Sequence, residues 1–153
     1  MKKLFAIALA LVLVASLSVT AFAANTTGGT ADITTSIAPT YTVTIPANTN
    51  VNFNATETAF GTIEVTASQI HPDKCIKVAL TADGELNNAI DPTKVIPYVI
   101  KDAEGNAFTS ATYLTEGDKT ELSIHITADD WNAAYAGEYS DTVTFIVSYE
   151  DKA

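Results

Sequence analysis

The sequence predicts an all-β protein, a two-sheet antiparallel β-sandwich with one short helical turn before its last strand. Three observations carry this. Apolar residues alternate with Thr, Ser and charged residues in run after run, the period of a strand with one face on a core. Turn-forming dipeptides recur between the runs. No apolar stripe of helical period is long enough to build a layer of helices.

Asp32–Ala38 places Ile33, Thr35 and Ile37 on one face and is expected to be the domain's own first strand. The alternative is a strand donated to a neighbouring molecule. Tyr41, Val43 and Ile45 then alternate with Thr42 and Thr44. Ile63 and Val65 alternate with Thr62, Glu64 and Thr66, and Ile76, Val78 and Leu80 with Lys77 and Ala79. Asp83-Gly84 supplies residues that tolerate positive φ, as do Gly105-Asn106 and Gly117-Asp118. Val95–Lys101 contains Pro97, which has no ladder donor, so that strand is expected at a sheet edge or bulged. Leu122, Ile124 and Ile126 face one way, Ser123, His125 and Thr127 the other. Asp129–Ala136 is the helical segment, with Thr127 as its cap. Val143, Phe145, Val147 and Tyr149 close the chain as a final strand.

The N-terminus has a different character. Met1-Lys2-Lys3 is cationic, Leu4–Ala15 is an apolar run of 12 residues, and Ala21-Phe22-Ala23 offers small residues to a signal peptidase. This is the pattern of a secretory signal peptide, with cleavage expected after Ala23. The run is too short for a membrane span. The expected organisation is therefore a signal peptide over 1–23, a flexible polar lead over 24–30, and one β-sandwich domain over 31–153. Localisation is expected to be secreted or extracellular, the mature protein being either released or held at a surface by non-covalent contacts.

The chain carries 8 Lys+Arg against 18 Asp+Glu, a net charge of −10, and its basic residues are all lysines. Without arginine and with this charge, binding to nucleic acid or to anionic lipid is not expected. Cys75 is the lone cysteine, so no intramolecular disulfide forms.

The run Ala136-Gly137-Glu138-Tyr139-Ser140-Asp141-Thr142-Val143-Thr144-Phe145 has the logic of a corner. Gly137 allows a tight turn, and Tyr139 folds back over the core edge before the strand begins. Together with Tyr41–Ala47 (YTVTIPA) and Trp131, this ending resembles small secreted β-sandwich proteins of Gram-positive bacteria. More loosely it is similar to the Ig-like sandwiches of fimbrial subunits and of the spore coat protein U family. The resemblance implies an Ig-like sandwich with a structural or adhesive role. It covers the two ends of the chain well and the middle poorly, and the lone Cys75 departs from the disulfide pair usual in fimbrial subunits.

No catalytic constellation is present in the sequence. His71 and His125 lack partners at metal-ligand spacing, and no serine sits in a nucleophile elbow. Cys75 adjoins Lys74 and Lys77 but is expected to be inert. No cofactor is expected, calcium at the acidic turns being the one weak candidate: Asp102, Glu104 and Asn106 in one, Asp129, Asp130, Glu138 and Asp141 around the final corner. The expected function is a non-enzymatic structural or adhesive protein acting through extracellular protein or glycan contacts. The alternative is a carbohydrate or small-ligand module using Trp131, Tyr113, Tyr135 and Phe108 as a surface platform. A monomer is expected, with a strand-exchange polymer as the alternative.

Overall fold

The structure, a computed structural model, describes residues 30–152. The signal peptide and nearly all of the lead lie outside the described residues. Ser36–Ala153 form one compact unit, and Met1–Thr35 belong to another.

Among the described residues ten strands and one helix follow in order: β1 Thr40–Thr44, β2 Glu57–Gln69, β3 Lys74–Thr81, β4 Glu85–Asn88, β5 Val95–Pro97, β6 Val99–Asp102, β7 Ser110–Tyr113, β8 Lys119–His125, α1 Ala128–Ala133, β9 Tyr139–Ser140 and β10 Thr144–Asp151. Every named pairing is antiparallel. The all-β sandwich read from the alternation is the fold of the chain. Its hydrogen bonding divides into three sheets, ordered β1-β2-β8-β6, β10-β3-β7 and β5-β4-β9. The third sheet is small because its strands are short. The single strand expected over Val95–Lys101 is a correction: it is broken after Pro97 into β5 and β6, which belong to different sheets, and each lies at a sheet edge as the missing Pro97 N–H implied.

One apolar cluster joins the sheets. Ile63 and Val65 of β2, Ile76 and Val78 of β3, and Leu122 and Ile124 of β8 are all buried in it. Each such side chain stabilises the fold by about 1.5–3 kcal/mol through removal from water. The alternation in β2, β3 and β8 is thus a true inside–outside pattern. In β1 and β10 it is only half realised. Val43 and Phe145 are part-buried against the core, while Tyr41, Ile146 and Val147 stay exposed.

The first strand is a correction. Residues 30–39 belong to no strand, and Ile33 is 99% exposed. Alternation assigns a face to a segment, but alternation alone does not make a strand, which also needs a partner edge.

Two glycines shape the framework. Gly61 (φ 136°) sits at the bulge in β2, where a Cβ would come within 3.1 Å of Pro46 Cβ. Gly137 (φ 151°) lies against Asn88, where a Cβ would come within 2.5 Å of the amide Nδ2. Both conformations are ones that L side chains rarely adopt.

Candidate functional site

α1 starts at Ala128 because Thr127 caps it. The Thr127 hydroxyl accepts from Asp130 N at 3.1 Å, and Asp129 and Asp130 bring negative charge to the first turn. The helix is six residues long and presents Trp131 inward. Trp131 Nε1 donates to Ala55 O at 2.9 Å, which ties the helix to the loop ahead of β2. Its ring meets Phe53 edge to face, with centroids 5.6 Å apart.

Beyond the helix the chain turns at Gly137 into β9. The Tyr139 hydroxyl donates to Tyr135 O at 2.9 Å and accepts from Tyr135 N at 3.1 Å. Tyr139 itself is part-buried against the core. A tyrosine hydroxyl bonded to backbone a few residues upstream is a tyrosine corner, the role the sequence assigned to Tyr139. Asp141 then accepts from the Tyr98 hydroxyl and, through Oδ1, from Thr142 N at 2.6 Å. Burial first, and the bond to Asp141 second, push the Tyr98 phenol well above its ordinary range. Tyr98 stays neutral and holds the segment ahead of β10 to the core.

These elements form one wall of an open groove of about 1530 Å³. The run Ile45–Val51, which continues from β1, forms the other, with Phe53 at the rim. The floor is core. Phe60, Leu86, Ile96, Ile124 and Phe145 all line it. Phe60 of β2 and Phe145 of β10 approach across it with ring centroids 6.0 Å apart. The groove lies between the loop that follows β1 and the segment from α1 to the start of β10, where Phe145 joins its lining. Among the described residues β1 pairs with β2 and β10 with β3, each at the end of its sheet. The rim carries apolar side chains exposed to water, Phe53 and Ile45 among them.

The expected aromatic platform is only half present. Trp131 and Tyr135 line the groove, Tyr135 being 62% exposed with the Lys94 ammonium 5.0 Å above its ring. Phe108 and Tyr113 do not join them; both are buried in the core. Phe108 sits between β6 and β7 with its N–H donating to Ile100 O at 2.9 Å, and the Tyr113 hydroxyl satisfies itself by donating to Thr120 Oγ1 at 2.8 Å. A buried tyrosine with an internal partner costs little, so composition alone gave no sign of its burial. Phe53, Ile45, Val51 and Val143 are groove residues that the platform reading missed. The available signal was Phe53, an isolated aromatic within the polar run Asn48–Asn54.

The acidic turns serve as caps. Asp102 Oδ1 accepts from Asn106 N at 2.8 Å, and Asp130 is bonded to Thr127. Glu104 and Glu138 are exposed. Among the described residues no group of three or more His, Cys, Asp or Glu side chains gathers as a metal site. His125 Nε2 lies 2.9 Å from Ser123 Oγ on the polar face of β8, and His71 sits in a loop where its backbone N–H donates to Tyr149 Oη at 3.0 Å. Cys75 is buried on β3, and its flanking lysines are engaged, Lys74 with Asp151 and Lys77 with Glu150. Among the described residues no helix is long and apolar enough to cross a membrane.

The fold and groove define a class, an all-β sandwich with an open, apolar-floored groove beside its short helix. No family model matches the chain, and no curated protein matches its sequence.

Proposed function

We propose that the protein is a secreted or cell-surface-associated structural or adhesive module without catalytic activity, and that it works by gripping an extended polypeptide in this groove. The open apolar-floored groove between the loop after β1 and the α1–β9 segment carries the reading. An extended chain laid there would bury side chains on the floor of Phe60, Leu86 and Phe145 and could pair with the start of β10 at Phe145. Edge strands of this length are normally covered or blunted by charge, because an open edge recruits other chains. Here Ile146 and Val147 of β10 are exposed. The signal-peptide pattern of residues 1–23 and the net charge of −10 support an extracellular role and argue against nucleic acid as partner.

A glycan is the second reading. The exposed rings of Phe53 (76%) and Tyr135, with the Asn50 and Asn132 amides in the same groove, favour it. Arrays of extended alternating peptides and of oligosaccharides separate the two. The strand reading expects peptide binding that is lost in Ile45→Glu, a half-exposed residue outside every strand. Oligosaccharide binding without peptide binding, lost in Phe53→Ala, would overturn it in favour of the glycan.

A further inference from the structure

We infer that the polypeptide this groove takes is cationic, an extended segment in which lysine or arginine side chains accompany apolar ones. The inference rests on the groove as a polypeptide receptor and names the chemistry of its partner. The first ground is size. The groove is open and measures about 1530 Å³. A small-molecule cleft holds roughly 300–1,000 Å³. A lone organic cation would leave most of the apolar floor uncovered, whereas a polymer spans it.

The second ground is how charge is distributed over the walls. The Ile45–Val51 wall is uncharged and offers only the neutral polar groups of Asn48, Thr49 and Asn50. The opposite wall carries two carboxylates, Glu138 just before β9 and Asp141 just after it. An extended backbone advances about 3.3 Å per residue, so the two acids lie at most about 10 Å apart along the wall. Two basic side chains of one extended peptide can serve that span. Among the described residues no lysine lines the groove.

The third ground is that these carboxylates have no counter-ion of their own. Lys74, Lys77 and Lys119 are paired elsewhere, with Asp151, Glu150 and Glu121. Among the described residues neither Glu138 nor Asp141 forms an ion pair. Asp141 is half-buried, and its oxygens accept from the Tyr98 hydroxyl and from Thr142 N. Both donors are neutral, so they fix the carboxylate in place and leave its charge uncompensated. A partly buried charge is screened less by salt than an exposed one, and a cation brought to it gains more.

The rim shows how an ammonium settles here. Lys94 places its Nζ 5.0 Å from the centroid of the Tyr135 ring, a cation held on an aromatic face at the groove's edge. Over longer range the whole chain favours the same partner. Beyond residue 23 it has 6 Lys and 18 Asp+Glu, a field that draws cationic segments in at low salt. That field acts on any cation, so the groove's own carboxylates must be tested directly.

The test is calorimetric titration of the purified protein with short synthetic peptides that alternate isoleucine with Lys, with Gln or with Glu. At low salt the Lys peptide is expected to bind at least about tenfold more tightly than the Gln peptide, the Glu peptide is expected to bind most weakly, and the gaps should narrow as salt rises. Glu138→Gln should weaken the Lys peptide about two- to fivefold, leave the Gln peptide unchanged, and leave thermal unfolding unchanged because Glu138 is exposed. Adding Asp141→Asn should remove most of the remaining preference for Lys. Glu104→Gln removes an exposed charge outside the groove and should change nothing. A Lys preference that survives in Glu138→Gln/Asp141→Asn would overturn the groove as its source. Equal binding of the three peptides, lost in Ile45→Glu, would overturn the cationic partner and leave the polypeptide receptor standing. Wild type that binds none of the peptides would overturn the receptor itself, and binding of a glucosamine oligosaccharide in their place would assign the carboxylates to a cationic glycan.

Discussion

Replacing Gly137 by alanine tests the corner that builds the groove wall. The new methyl would stand 2.5 Å from Asn88 Nδ2 and 3.3 Å from Asn88 Cγ. Real contacts of this kind do not close below 3.0 Å, so the Asn88 amide must shift. It is poorly placed to do so. Asn88 is 4% exposed, and its Oδ1 accepts from Ile90 N at 2.9 Å and Asp91 N at 3.2 Å. Losing two such bonds costs about 2 kcal/mol. Holding an L residue at φ 151° costs about 1–3 kcal/mol more. We expect Gly137→Ala to cost about 4 kcal/mol, a large share of the ~5–15 kcal/mol typical of a domain. Urea unfolding measures it. Gly105→Ala is the control, because Gly105 has φ 85° and open space around its Cβ position. It should cost only about 1–2 kcal/mol. In an Asn88→Ala background the clash is gone, and the cost of Gly137→Ala should fall to that of the control. Equal costs for Gly137→Ala and Gly105→Ala in the wild-type background would refute the reasoning.

Three further expectations follow from the same geometry. Tyr139→Phe removes two hydrogen bonds to Tyr135 at a part-exposed site and should cost about 1 kcal/mol, whereas Tyr139→Ala also empties a part-buried ring site and should cost about 3 kcal/mol; thermal melting that leaves Tyr139→Ala unchanged would dismiss the corner. The Asp118 carboxylate accepts from Leu114 N at 2.7 Å and Thr115 N at 2.9 Å, and these bonds hold its pKa below the ordinary 3.8. Its contribution is complete above that value and is lost as pH falls through the lower folded value, so the stability gap between wild type and Asp118→Asn should close below about pH 3.8, read by urea unfolding across pH. Intact mass of protein recovered from the medium should match a chain beginning at Ala24; a mass that retains Leu4–Ala15 would contradict secretion by cleavage.

Much of the fold was legible because its core strands carry their own evidence. Ile63 and Val65, Ile76 and Val78, and Leu122 and Ile124 alternate with polar residues, and all six are buried. Thr127 caps the helix and Tyr139 bonds back to Tyr135, both local interactions that a short stretch of sequence specifies. Pro97 announced an edge through its missing donor. What was not legible depends on distant partners. The alternation of Ile33 and Ile37 matches that of true strands, yet residues 30–39 belong to none. Phe108 and Tyr113 look like surface aromatics until Ile100 and Thr120 are brought beside them by strand pairing. The groove was hidden for the same reason, since Ile45, Phe53 and Phe145 are far apart in sequence and line one groove only once the strands have paired.

Amide hydrogen exchange on the outer edge of β10 tests the strand receptor most directly. Lys152 N donates to Asp73 O at 2.8 Å, and the ladder keeps constant register from Thr144↔Thr81 to Asp151↔Lys74. Even-numbered residues of β10 therefore direct their N–H groups toward β3, and the N–H of Phe145, the β10 residue that lines the groove, points away from β3. Adding an extended alternating peptide that the groove binds should slow exchange at Phe145 and leave Ile146 and Ser148 unchanged. Exchange at Phe145 that is unaffected by saturating peptide would contradict the groove as a site for an added strand.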